Sequence, residues 1–428
     1  MRECRTTDVA DLTEFTRHGD RSEPSSPSSQ GEPPSVIDHS KAAPLEIPVT
    51  GALTAIDAAE PVVQPVRPAR RNDDYTELKQ LVAAQGLLAK SGMNYSRQAV
   101  QLTVLFIVTA SALVLANSTP LQLLCALPAA LLFGQLAFIG HDSAHLQVFK
   151  SSRKNYILSV LMFNLALGAS RGWWTDRHNR HHANTNDLVA DPDFGSDVLA
   201  YAPEQVKGTT GFTRFMVRNQ ANFFGGLLFL QTMNSRYHTT RFLQVRKLRN
   251  WGMEVGLIGA HYAIYVAVIF WAIGWKTGMS FIALHELLFS GYLGLAFITN
   301  HVGMAIPTPG ENVGFLRAQA TTSRNLKDNR VTDYLFGALT CQIEHHLFPA
   351  MPRNHLRAAA PIVRDFCRAR GVEYHETTLL GALREVRQEL WRAAKIRAMD
   401  EHTDLRTILM AALRAYLQVP LDPPESTK

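Results

Sequence analysis

The chain has 428 residues, enough for one large domain or two small ones, a mean hydropathy of −0.05 and a formal charge of +6. Its positive charge lies in loops that flank apolar runs, which sets nucleic-acid binding aside in favour of a membrane protein whose polar ends dilute an apolar middle. Cys4, Cys125, Cys341 and Cys367 show no CxxC spacing, which excludes a disulfide framework and leaves reduced thiols.

Residues 1–72 are rich in Pro, Ser and Glu, as in SEPSSPSSQGEPPS from Ser22 to Ser35, and bury too little apolar surface to offset ordering. They are expected to be disordered, with no apolar core of signal-peptide type near Met1. A membrane domain is expected over residues 73–395. Its four apolar runs, about 99–117, 121–140, 255–275 and 279–300, each approach the roughly 20 residues that cross a hydrocarbon core. Pro128 is expected to kink the second. Tyr156–Gly168 and Phe223–Met233 are too short to span and read as helices in the interface or packed on the bundle. Lys79, Lys90 and Arg97 precede the first run. Lys150, Arg153 and Lys154 follow the second, and Arg236, Arg241, Arg246, Lys247 and Arg249 precede the third. The turns inside the two hairpins carry Lys276 alone, so both termini and the central loop are placed in the cytoplasm. Leu379–Ile396 reads as an amphipathic cytoplasmic helix, followed by a C-terminal tail over 396–428. The expected fold class is therefore all-α integral membrane: four transmembrane helices in two hairpins, interfacial helices, and a cytoplasmic helical cap.

Eight of the sixteen histidines are grouped. His141 and His145 form HDSAH at the end of the second run. His178, His181 and His182 form HNRHH in the central loop. His301 follows the fourth run, and His345 and His346 lie in QIEHH. On a helix, i and i+4 share a face, which aligns His141 with His145 and is expected to put all three rings of HNRHH on one side. His345 and His346 diverge by about 100°, enough to reach two different metals. All eight fall on the cytoplasmic side of the map drawn from Lys and Arg, so they can converge. Eight imidazoles exceed what one tetrahedral zinc uses, and two irons with open positions fit the count. His18, His39, His355, His375 and His402 read as solvated and His238 as structural. His261 and His285 lie inside expected spans, where an ionisable group is a functional candidate.

GHDSAH, WWTDRHNRHHANTN and QIEHHLFPAMPR together resemble the three histidine boxes of membrane fatty acid desaturases over roughly Tyr75–Leu390. Gln342 at the head of the third box resembles the branch with front-end acyl-lipid and acyl-CoA desaturases. The resemblance implies His141, His145, His178, His181, His182, His345 and His346 as ligands of two iron ions, with His301 as the additional ligand after the last span. Gln342 stands where others have His and would act through water or orient the site. Asp142, Asn184, Asp187 and Glu344 are candidate acceptors for imidazole N–H groups, with helix capping or surface polarity as the alternative for each. Many relatives carry a fused cytochrome b5 domain with an HPGG signature. No HPGG occurs here, so electrons are expected from a separate donor of ferredoxin or cytochrome b5 type and its reductase.

The implied reaction removes hydrogen from two adjacent methylenes of a fatty acyl chain, with dioxygen as co-substrate and two external electrons; no side-chain acid or base does this. An apolar tunnel would position the chain, with Trp173 and Trp174 as its walls or as interfacial anchors. Cytoplasmic Arg and Lys would bind an anionic headgroup or coenzyme A, or dock an acidic donor. The rival on the same scaffold is a membrane di-iron hydroxylase of acyl chains or other lipids. A transporter or non-catalytic metal-binding membrane protein is disfavoured because no repeat appears and the histidines gather at one face. A zinc hydrolase is weaker still, since HDSAH lacks the glutamate of HExxH.

Overall fold

The computed structural model describes residues 73–400, apart from 196–198, 207–208, 247, 309, 312 and 328–329, and excluding the side chains of 73 and 396–400. The chain divides into two units at residue 65, and every described residue belongs to the second. The expected disorder of 1–72, Cys4, His18, His39, His402 and nearly all of the tail lie outside the described residues.

The helices run in chain order as follows. The first four are α1 (Asp73–Ala84), α2 (Gly92–Leu115), α3 (Thr119–Leu124) and α4 (Ala126–Ala144). Next come α5 (Ser152–Val160), a π-helical turn (Leu161–Ala166), α6 (Arg171–Ala183), α7 (Pro203–Val206) and α8 (Gly211–Leu227). A 3-10 turn (Leu228–Leu230) leads into α9 (Gln231–Val245), α10 (Trp251–Ile273), α11 (Trp275–His301), α12 (Phe315–Thr321), α13 (Arg330–Leu335), α14 (Gln342–Leu347), α15 (Arg353–Ala369) and α16 (Leu379–Asp400). The fold is not wholly α: β1 (Asn325–Leu326) pairs in parallel with β2 (Glu376–Thr377). Two residues per strand carry no readable alternation, so this pairing leaves no trace in the sequence.

Four segments are long and apolar enough to cross a membrane: Gly92–Leu115, Thr119–Ala144, Trp251–Ile273 and Trp275–His301. Each extends beyond its expected run at the N-terminal side, because helix geometry continues through flanking polar residues that hydropathy alone trims. The break in the second falls at Cys125, between α3 and α4, three residues ahead of Pro128. Pro128 lacks an N–H and its ring clashes with the carbonyl four residues earlier, at Leu124, where α3 ends.

The core sits between α4 and α11. Gly134 is required there, since a Cβ would lie 2.0 Å from the ring of Tyr292. At one end of the bundle Leu113, Cys125, Ile269 and Phe281 pack together. At the other, Tyr95 near the start of α2 donates to Asp142 near the end of α4 at 2.9 Å. The stretch 156–168 forms α5 and the π turn, burying Phe163 and Leu167 against Ala130 and Phe289. The stretch 223–233 ends α8, makes the 3-10 turn and begins α9. The amphipathic reading of 379–396 corresponds to α16, which buries Val386 and Leu390 with Val302 and Phe194. Cys125, Cys341 and Cys367 are free thiols.

Candidate metal centre

Three helix ends and one short helix converge on a single region: the ends of α4 and α11, the second half of α6, and α14. Two sets of rings meet there. Ligand atoms of His141, His145, His178 and His345 lie within 4.8 Å of one another, as do those of His181, His301 and His346. HNRHH turns its three rings to one side of α6, within an arc of about 100° that spans both sets. At about 100° per residue, His181 and His182 fall on opposite flanks of His178. His181 therefore joins the second set, while His182 lies between the two. Its Nε2 is 3.0 Å from that of His178 and 3.2 Å from that of His345, and its ring stacks on His346 at 4.2 Å. His345 and His346, neighbours in α14, go to different sets.

In the second set every ring is fixed through Nδ1. His181 Nδ1 lies 2.9 Å from Asp191 Oδ2, His301 Nδ1 lies 3.0 Å from the Thr322 carbonyl, and His346 Nδ1 lies 2.9 Å from Gln319 Oε1. Each oxygen takes an Nδ1–H, which leaves the Nε2 lone pair as the nitrogen able to take a metal. Nε2 of His346 is buried and has no hydrogen-bond partner. In the first set the rings crowd each other instead: His178 Nε2 is 2.8 Å from His145 Nε2. Only His141 is anchored by a side chain, its Nδ1 3.2 Å from Asp142 Oδ1. Asp142 is paired with Arg353 at 2.5 Å. Trp174 stacks on His178 at 4.3 Å, and Trp173 lies parallel to His238 at 6.4 Å.

Burial sets the charge state. It pushes the pKa of His145, His178, His182, His345 and His346 well below the usual histidine value, reinforced by neighbouring imidazoles. Those rings are neutral at physiological pH, the form that ligates a metal. His181 differs. Burial works against its charge, but the carboxylates of Asp193 and Asp191 outweigh that and raise its pKa. This donor set fits two cations: ring nitrogens gathered in two groups, most of them held neutral by burial, the second group fixed from behind, and some orphaned.

Several expected acceptors are placed elsewhere. Asn184 caps the end of α6 by donating to the Arg180 carbonyl at 3.0 Å, and Asp187 accepts from the backbone of Val189 and Ala190 at 2.8 and 2.9 Å. Both are short polar side chains just past a helix end, where the local backbone claims them first. Glu344 accepts from Tyr374 at 2.7 Å and Asn325 at 2.8 Å instead of from a ring, and burial raises its pKa to about 7. Its neighbours His345 and His346 project inward from α14, so Glu344 projects away. Asp142 does meet His141. The amide nitrogen of Gln342 is 2.9 Å from His301 Nε2, and its Oε1 is buried without a partner. Asp191, Thr322 and Gln319 back the rings without being marked by any histidine motif, although the DPDFGSD run containing Asp191 is an acidic cue close to HNRHH.

Outside the centre, His355 and His375 are half-buried and partnered rather than fully solvated. His355 Nδ1 is 2.8 Å from the Leu87 carbonyl, and His375 pairs with Glu385 at 2.9 Å. His261 bonds the Leu165 carbonyl at 3.0 Å and His285 bonds Tyr265 at 2.7 Å, both within spanning segments.

Residues 118–378 match the fatty acid desaturase family, and the chain belongs to it. It is 29% identical over 343 residues to an acyl-lipid (9-3)-desaturase of Physcomitrium patens, a match covering 77% of this chain and 64% of that protein. It is 29% identical over 334 residues to a Delta(5) fatty acid desaturase of Caenorhabditis elegans, covering 72% and 71%. It is 26% identical over 264 residues to a fatty acid desaturase 2-like protein of Mus musculus, covering 61% and 54%. The chain thus spans less than two thirds of the first and third of these relatives.

Proposed function

We propose that this protein is an oxygen-dependent acyl desaturase that inserts a carbon–carbon double bond into a fatty acyl chain held at a di-iron centre. The observation that carries the reading is the pair of histidine sets: in each the ring nitrogens gather within 4.8 Å, and in the second every ring is backed by an oxygen that frees its Nε2 to face inward. His141, His145, His178 and His345 would hold one iron and His181, His301 and His346 the other, with His182 positioned to serve either. Gln342 would complete the second site or orient it. When bound, the irons supply the activation of dioxygen and the removal of two hydrogens, with two electrons from a separate donor protein of ferredoxin or cytochrome b5 type and its reductase.

The chain's own residues do the rest. Asp191, Thr322 and Gln319 hold the Nδ1 protons of three ligands and so fix their tautomers. Trp174, stacked between Phe163 and His178, gives the site an apolar wall suited to methylenes and excludes water from it. Two helical hairpins, open to the cytoplasm at the histidine end, are the architecture we propose for the membrane domain of residues 73–395, with both termini on that side. The contacts of Tyr95 with Asp142, and of Leu113 with Ile269 and Phe281, support it. The acyl-lipid substrate in the name of the Physcomitrium relative makes a lipid-borne chain the first substrate to test.

The test is expression in a host of known lipid content beside a His181→Ala, His182→Ala variant, with mass spectrometry of fatty acid methyl esters. A new unsaturated species from the intact chain alone is expected. A hydroxylated product would move the chain to the hydroxylase reading, and purified protein that binds no iron would overturn the metal centre.

A further inference from the structure

Glu254 is the sole Asp, Glu, Lys or Arg in α10. It is 4% exposed, at the end of a segment apolar enough to span a membrane, where a buried carboxylate is costly unless its oxygens are filled. They are filled by the first turn of α6. Ser170 Oγ donates to Oε2 at 2.5 Å, and the Gly172 backbone N–H donates to Oε1 at 3.1 Å. Ser170 is the N-cap of that helix, its hydroxyl oxygen accepting from Trp173 N at 3.0 Å, and its own N–H donates to Thr239 Oγ1 of α9 at 3.4 Å. A Cβ at position 172 would fall 2.6 Å from a Leu248 methyl and 3.1 Å from Glu254 Oε1, so the first turn of α6 lies close against both side chains. The carboxylate therefore sits on the positive end of the helix that carries His178, His181 and His182, and holds it by two separate donors.

We propose that Glu254 is a positioning residue for the metal centre, fixing the axial position and rotation of α6 and hence the aim of its three imidazoles. The proposal rests on the metal reading above. At about 1.5 Å per residue, the ligands lie roughly 9 to 15 Å along the helix from Gly172. A rotation at the first turn is carried undamped to them, because α6 is one uninterrupted helix from Arg171 to Ala183. Since α6 serves both sets, a loosened start degrades both at once. Ser170 gives the same contact from the other side, so its loss should reproduce part of the effect.

The test is iron binding and Mössbauer spectroscopy on full-length wild type, Glu254→Gln, Glu254→Ala and Ser170→Ala, each checked for folding by thermal denaturation. Glu254→Gln keeps an oxygen for Gly172 N. It should hold iron close to wild type, whereas Glu254→Ala should lose about tenfold in iron affinity, the low end of what an outer partner of a ligand contributes. Its spectrum should broaden at both sites, with Ser170→Ala intermediate. Equal iron affinity and an unchanged spectrum in Glu254→Ala, with only its melting temperature lowered, would overturn the proposal. So would equal loss in Glu254→Gln and Glu254→Ala. If Glu254→Ala does not fold, Ser170→Ala decides by the same criteria. Wild type that takes up no iron would overturn the metal reading itself, a distinct outcome.

Discussion

The two histidine sets are built on different principles. In the second, His181, His301 and His346 are each held from behind by an oxygen of a different element: Asp191 in the loop after α6, Thr322 after α12, and Gln319 within α12. In the first, His145, His178 and His345 lean on other imidazoles, and only His141 has a carboxylate behind it, itself neutralised by Arg353. One set is therefore preorganised by the scaffold and the other by its own crowding. Neutral nitrogens packed 2.8 to 3.2 Å apart have few protons to share, so the first set gains most from a cation placed among them.

The largest expected effects come from the rings. His345→Ala should remove the first iron and His346→Ala the second, each abolishing product formation, with iron stoichiometry falling from about two towards one; equal loss from both sites in each variant would merge the two sets into one. Breaking Arg353 comes next. Arg353→Met leaves Asp142 buried and uncompensated, a loss of about 3–5 kcal/mol by analogy with severed buried pairs, read as a fall in the denaturation midpoint. Asp191→Asn should weaken iron at the second set about 10- to 100-fold and spare the first, which titration with iron would show as one shifted phase. Chelating the metal should lower the melting temperature, and by more for the first set, whose rings lack other support. The smallest effects belong to Asn184→Ala and Asp187→Ala, each about 1 kcal/mol or less and without change in iron content, because their side chains cap local backbone.

His141 and His145 share a helix, and their common aim follows from 3.6 residues per turn alone. Four apolar runs and the grouping of eight histidines are equally local facts of composition and spacing. Asp142 was recoverable as a partner because it adjoins its ligand. Gln319 was not: it reaches His346 from 27 positions away, and Thr322 reaches His301 through a backbone carbonyl that any residue type supplies. Asn184 and Asp187 failed as partners because backbone donors and acceptors within a few residues compete for short polar side chains.

The chemistry on offer is local to the chain: which segments are apolar enough to span, and which residues bring nitrogen donors to one end of them. Tertiary structure alone decided how those donors were divided. His181 and His182 are adjacent in the chain, yet His181 joins the second set while His182 lies between the two. Asp191 in the loop after α6, Gln319 within α12 and Thr322 just after it then supply oxygens to His181, His346 and His301, but none reaches His145, His178 or His345. Periodicity is encoded over four residues, whereas the placement of an oxygen behind an imidazole depends on packing between elements that are distant in the chain.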